Sequence, residues 1–108
     1  MIRRMSEGYN IKDLLALAVS ERAEKLILHT GQSPVVWVRG EACPIEGPAI
    51  TPEHADSLLR SLAGTRYMRE FYERGLVAFI CTPADSAQFR VQAKLVGDEI
   101  QIDLEKVA

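Results

Sequence analysis

Imidazoles, thiols and closely spaced basic side chains are the groups through which this chain could do chemistry, and it holds few of them. Only His29 and His54 could supply imidazole. No H-x-H or H-x-x-x-H spacing sets two of them on one side of a strand or helix, as a metal site needs. His29 ends a strand-like run in which its same-face neighbours along the chain are Lys25 and Ile27, so no carboxylate on that run is placed to make it an acid-base group. His54 falls in the first turn of a helix and reads as an exposed surface residue. Cys43 and Cys81 are too far apart for a zinc knuckle. Cys81 sits in an apolar run, where burial raises a thiol's pKa and makes it inert. Arg90, Gln92 and Lys94 recur at period two and could grip an anion, although any half-exposed strand has such a polar face. The seven glycines stand singly at turns, and neither G-x-x-x-x-G-K-[ST] nor G-x-G-x-x-G occurs. These absences argue against an autonomous ATPase or GTPase. The expectation is a protein that is not an enzyme and needs no cofactor or metal.

The elements that must position these residues follow from periodicity. Asn10 can cap a helix through Ile11, Leu14, Leu15, Ala18 and Val19, with Asp13 in its first turn. Lys25 to His29 alternates as a half-buried strand, with Leu26 and Leu28 facing the core. After a loop at Gly31-Gln32-Ser33-Pro34, Val35 to Val38 forms a second strand. It turns at Arg39-Gly40-Glu41 into a short third one around Ala42 to Ile45. Thr51-Pro52-Glu53 starts a helix that stops near Gly64, and Thr65 caps a second one ended by Gly75. Leu76 to Thr82 is a continuous apolar run and reads as a central strand. Pro83 to Ser86 turns the chain. Phe89 to Leu95 and Ile100 to Leu104 alternate, so the last three strands should form an antiparallel meander. The order α-β-β-β-α-α-β-β-β gives an α+β domain of two layers, an antiparallel sheet with helices on one face. Residues 1–9 read as a flexible tail and residues 10–108 as one domain.

Composition excludes several classes. A hydrophobic content of 47% with 26% charged residues is that of a folded globular domain. The net charge of -2 gives no field that would draw the chain to nucleic acid or to an anionic membrane. Arg3-Arg4 is the only basic cluster. No apolar run approaches the ~20 residues of a membrane span. The first ten residues lack the apolar centre of a secretory signal, and Met5 could equally be a start. With two cysteines read as reduced, the expected compartment is the cytoplasm.

Taken in order, these segments resemble the N-terminal domain of the type IV pilus retraction (twitching motility, PilT-type) family of secretion-type hexameric motor ATPases. That domain runs I-x-x-L-L-x-x-(A/S)-V-x-x-x-A-S-D-L-H-L-x-x-G-x-x-P-x-x-R-x-x-G, and this chain reads IKDLLALAVSERAEKLILHTGQSPVVWVRG in the same register. The family's P-L-(T/E) helix start, L-x-D-F-S strand and F-R-V-N-A-F fall on AITPEHADSLL, LVAFI and FRVQAKL. The resemblance implies a PAS-like α+β fold, joined in the motors by a short linker to a RecA-like ATPase domain. It also implies packing against a neighbouring subunit's ATPase, with arginines facing the phosphates of its nucleotide site. The family's strand arginine falls on Arg90. The chain ends about where that linker would begin.

The matches are apolar core positions and turn glycines, whereas polar positions depart from the family. Its Asp and His become Lys25 and Ile27, and a strand arginine becomes Trp37. The Asp of D-F-S becomes Ala78, an Asn becomes Gln92 and a late arginine becomes Glu105. Exchanged charges should break old pairs, so docking on an ordinary motor should not survive unchanged. Lys25, Ile27, His29, Trp37 and Arg39 are the expected interface, and Arg90 the expected nucleotide or partner contact. Ile27 and Trp37 face away from their strands' core residues, which suggests an exposed apolar patch able to bind a partner or a second copy, unless they form a second core layer under the first helix. The expected function is a non-catalytic protein-interaction module whose partner is a motor ATPase or a pilus or secretion component. The alternative is a PAS-like sensor with a small ligand between sheet and helices.

Overall fold

A computed structural model describes residues 9–84 and 87–107; the expected Arg3-Arg4 cluster and the Asp85-Ser86 turn lie outside them. Helix α1 (Ile11–Ser20) starts where expected: Asn10 is extended, and its side-chain oxygen accepts from the Lys12 N–H at 2.8 Å. Ile11, Leu14, Leu15 and Ala18 bury one stripe of it. Strands β1 (Lys25–His29), β2 (Val35–Val38) and β3 (Glu41–Pro44) follow, then helix α2 (Pro52–Arg74) and strands β4 (Leu76–Ala84), β5 (Ala87–Val96) and β6 (Glu99–Lys106).

The two expected middle helices are the two halves of α2, divided at Gly64 where the glycine places the break. Gly64 marks the break with φ 77° and ψ 175°, backbone that side-chain-bearing residues avoid. Thr51 caps the start by accepting from the His54 N–H at 3.1 Å. Asp56, before the kink, accepts from the Arg60 guanidinium at 3.2 and 3.3 Å and from the Tyr72 hydroxyl beyond the kink. That contact bridges the two halves.

All six strands pair antiparallel, in the order β3-β2-β1-β6-β5-β4. Leu26, Leu28, Val36, Phe89, Val91, Ala93, Ile102 and Leu104 are buried on one face. Leu58, Leu59, Met68 and Phe71 of α2 are buried in the same core, and Tyr67 stacks on Phe79 with ring centroids 4.8 Å apart. The expected meander is present, but β4 is an edge strand rather than a central one. Its apolar run misleads because Val77 and Phe79 are buried while Leu76 and Ile80, on the other face, are exposed.

Two N-terminal expectations are corrected. Tyr9, placed in the tail, is buried, and its hydroxyl donates to the Pro48 carbonyl at 2.5 Å. His54 is half-buried rather than exposed: its Nε2 lies 2.9 Å from the Tyr9 N and 2.8 Å from the Tyr9 carbonyl oxygen. The rings of Tyr9 and His54 stack at 5.7 Å. A buried ring with a satisfied hydroxyl anchors the chain entry to the Gly47-Pro48 turn.

Two outcomes are expected. A Cβ on Gly47, whose φ is 153°, would meet the Tyr9 hydroxyl, so Gly47→Ala should cost ~1–3 kcal/mol. Gly31→Ala, with nothing within 4 Å of the added carbon, should cost only ~1 kcal/mol for its positive φ. Thermal melts of the two variants compare them. The Tyr72 hydroxyl is pushed from 10.0 up to about 12, chiefly by desolvation, then by its hydrogen bond to Asp56 and that carboxylate's charge, with Arg60 opposing. The folded state therefore holds this proton more tightly than the unfolded chain. The stability so gained is whole below pH 10 and lost as pH rises toward 12. The gap in urea midpoint between wild type and Tyr72→Phe should stay level up to pH 10 and close above it.

Candidate functional site

Alternation along the strands leaves the second sheet face without a helix over it, and antiparallel register arranges its side chains in lateral rows. One row runs Ala42, Trp37, Lys25, Glu105, Arg90 and Ile80 from β3 to β4. The next runs Pro44, Val35, Ile27, Asp103, Gln92 and Ala78. Five of the six expected residues, Lys25, Ile27, His29, Trp37 and Arg90, therefore share one face. Arg39 does not join them. It occupies the tip of the two-residue turn between β2 and β3, exposed and with φ 54°.

Charge alternates across the first row. Glu105 Oε2 lies 3.9 Å from Lys25 Nζ, and its Oε1 lies 3.8 Å from Arg90 Nη1. One carboxylate from β6 thus sits between a cation on each neighbouring strand. With these side chains half-exposed or more, each pair stabilises the fold by only ~0.2–1 kcal/mol. Arg90, expected from the resemblance to reach phosphate or a partner, has an acidic neighbour inside its own chain. His29 differs from expectation: its Nε2 lies 2.9 Å from Asp103 Oδ1. The carboxylate comes from β6, a strand distant in sequence, which reading along β1 alone could not find. Lys25, Ile27, Arg90, Gln92, Asp103 and Glu105 border a shallow hollow of about 370 Å³.

Ile27 and Trp37 are half-buried among these charged neighbours and do not form the expected exposed apolar patch; nor do they lie in a second core layer. The exposed large apolar side chains include Tyr67, Tyr72, Leu76, Ile80 and Val96, away from Trp37. Burial raises the Cys81 thiol pKa, and Cys43 is exposed on the β3 edge. Among the described residues no cluster of three or more His, Cys, Asp or Glu side chains could hold a metal ion, and no polar or charged residue is buried in the core. No helix of the described residues is long and apolar enough to cross a membrane.

No protein-family model and no curated protein sequence matches the chain. Among solved structures, the ATPase DotB of Legionella pneumophila superposes with a TM-score of 0.77 at 18% identity, over 98% of this chain and 32% of that one. The pilus retraction motor PilT, solved with bound ADP, gives 0.81 at 21% identity, over 93% and 29%. DotB of Yersinia pseudotuberculosis gives 0.75 at 14% identity, over 100% and 34%. The likeness to PilT-type motors expected from the ordered motifs is thus present in the fold. The chain spans about a third of the length of these ATPases.

The alternating row makes its own prediction. Glu105→Lys places three cations side by side and should destabilise the domain by ~1 kcal/mol, a drop of roughly 4–8 °C in melting temperature. Added salt should recover much of that loss by screening, as melts at low and high ionic strength will show.

Proposed function

We propose that this domain is a non-catalytic interaction module of PAS-like architecture that works with a pilus-retraction or secretion motor in the cytoplasm. Its partner is a motor ATPase or another component of such a machine. The observation that carries this reading is the open sheet face, where Trp37, Lys25, Glu105 and Arg90 stand in one lateral row next to Ile27 and Asp103. Such a mixture of one aromatic, one arginine and alternating charge suits a polar protein interface with an aromatic anchor. The shared fold with PilT and DotB supports the class of partner.

Specificity follows from the same row. Charge order sets which surfaces can approach, because like charges brought together cost several kcal/mol and complementary ones raise the rate of encounter. The small-ligand alternative has weaker support. A sensor needs polar groups converging in an enclosed cavity, whereas the hollow of about 580 Å³ between α1, α2 and the end of β4 is lined by polar groups, Asn10, Ser57, Ser61 and Thr82, that are all exposed.

The test is affinity capture from the source cells with the full chain as bait, in parallel with Lys25→Glu and Trp37→Ala. Wild type should recover a motor, pilus or secretion component, and both variants should lose it while melting normally. Capture unchanged by either variant would remove the open face from the interaction. ATP turnover by the purified chain would overturn the non-catalytic reading.

A further inference from the structure

The two edges of the sheet are built differently. At one end β3 is four residues long, fully exposed, and carries Glu41 and Pro44, the devices that keep a free edge from pairing. At the other end β4 carries no charged residue from Leu76 to Ala84. Among the described residues no backbone hydrogen bond reaches its outer side from elsewhere in the chain. Its far end is closed by a register shift between Cys81 and Ala84 and by Pro83, which has no N–H to give. The open stretch is therefore Leu76 to Cys81.

Within that stretch the uncovered face reads large, small, large. Leu76 is 44% and Ile80 56% exposed, with Ala78 between them. On the covered side Tyr67, itself 36% exposed, stacks on Phe79. Both flanks of this edge thus present apolar surface that water now covers.

We propose that the β4 edge pairs with the β4 edge of a second copy of this chain, antiparallel about a two-fold axis at Ala78, to make one continuous twelve-stranded sheet. The pattern is its own complement. With Ala78 against Ala78, each Leu76 lies opposite the partner copy's Ile80, so a single register covers all four exposed side chains. An uncharged strand meets its copy without like-charge repulsion, and its unpaired N–H and C=O groups supply the hydrogen bonds. This pairing stands apart from the proposed partner contact, which uses the middle of the open face.

Sedimentation velocity on the full chain, from low to high micromolar concentration, should show a reversible monomer–dimer equilibrium. Ile80→Glu, whose new carboxylate lies beside Arg90 within its own chain, should fold normally yet weaken association by at least ~10-fold by setting a charge against Leu76 of the other copy. The double variant Leu76→Lys/Ile80→Glu should restore the dimer, because each lysine then faces the other copy's glutamate. Trp37→Ala should leave it intact. A chain that stays monomeric throughout overturns the proposal. So does a dimer indifferent to Ile80→Glu, or a double variant that does not recover.

Discussion

The domain depends on the seam where β1 meets β6. The β3-β2-β1 half is local, and so is the β4-β5-β6 meander. Only the pairing of Lys25–His29 with Gln101–Glu105 makes them one sheet. Leu26 lies opposite Leu104 and Leu28 opposite Ile102, all four fully buried, so the core is continuous across the join. A slip of one residue would turn Leu26 and Leu28 outward and bring Lys25 and His29 inside. Burial of those side chains, at about 1.5–3 kcal/mol each, makes that slip prohibitive. The partners are far apart in sequence, so closing the seam costs more chain entropy than forming either local half. It also explains why the candidate site exists only in the folded chain. Every hydrogen bond or ion pair of the open face described above joins β6 to β1 or β5.

That distinction marks what could be read in the sequence. Which side of a strand a residue faces is a local property of period two, and alternation alone places Lys25, Ile27, His29, Trp37 and Arg90 on the open side. Which residue stands beside it in the next strand is a property of register, and it was not legible. Asp103 beside His29 and Glu105 between Lys25 and Arg90 belong to this second kind. The misplacement of β4 has a related cause. An apolar run looks alike whether both its faces are buried or one is left bare. The break at Gly64 is legible as a glycine, whereas the hydrogen bond from Tyr72 to Asp56 across it is not. His54 looked like a surface residue because its partner, Tyr9, lies far back along the chain.

The departures from the motor-domain pattern also change meaning once register is known. Along the sequence, an acid replaced at Lys25 and an arginine replaced at Glu105 look like two separate losses of a charged contact. In the sheet these positions face each other, 3.9 Å apart at their charged ends. A reversal at both keeps opposite signs opposed within the chain while inverting the sign shown at each place. Lys25 and Glu105 pair within this chain, so the sign each one presents bears on whatever approaches from outside. The replacement at Trp37 extends the same row and puts an aromatic next to the reversed pair.

The two faces contribute unequally to stability. On the covered face large apolar side chains are sealed under α2, and shortening any of them should cost ~2–5 kcal/mol. On the open face the ion pairs are half-exposed and individually contribute less than about 1 kcal/mol. A sequence can therefore change nearly everything on the open face and still fold, provided that alternation and the buried set are kept. That is the condition under which TM-scores of 0.75–0.81 coexist with 14–21% identity. The charged row therefore contributes little to stability. A carboxylate held between two cations, with an aromatic at one end, is costly to order for so small a gain.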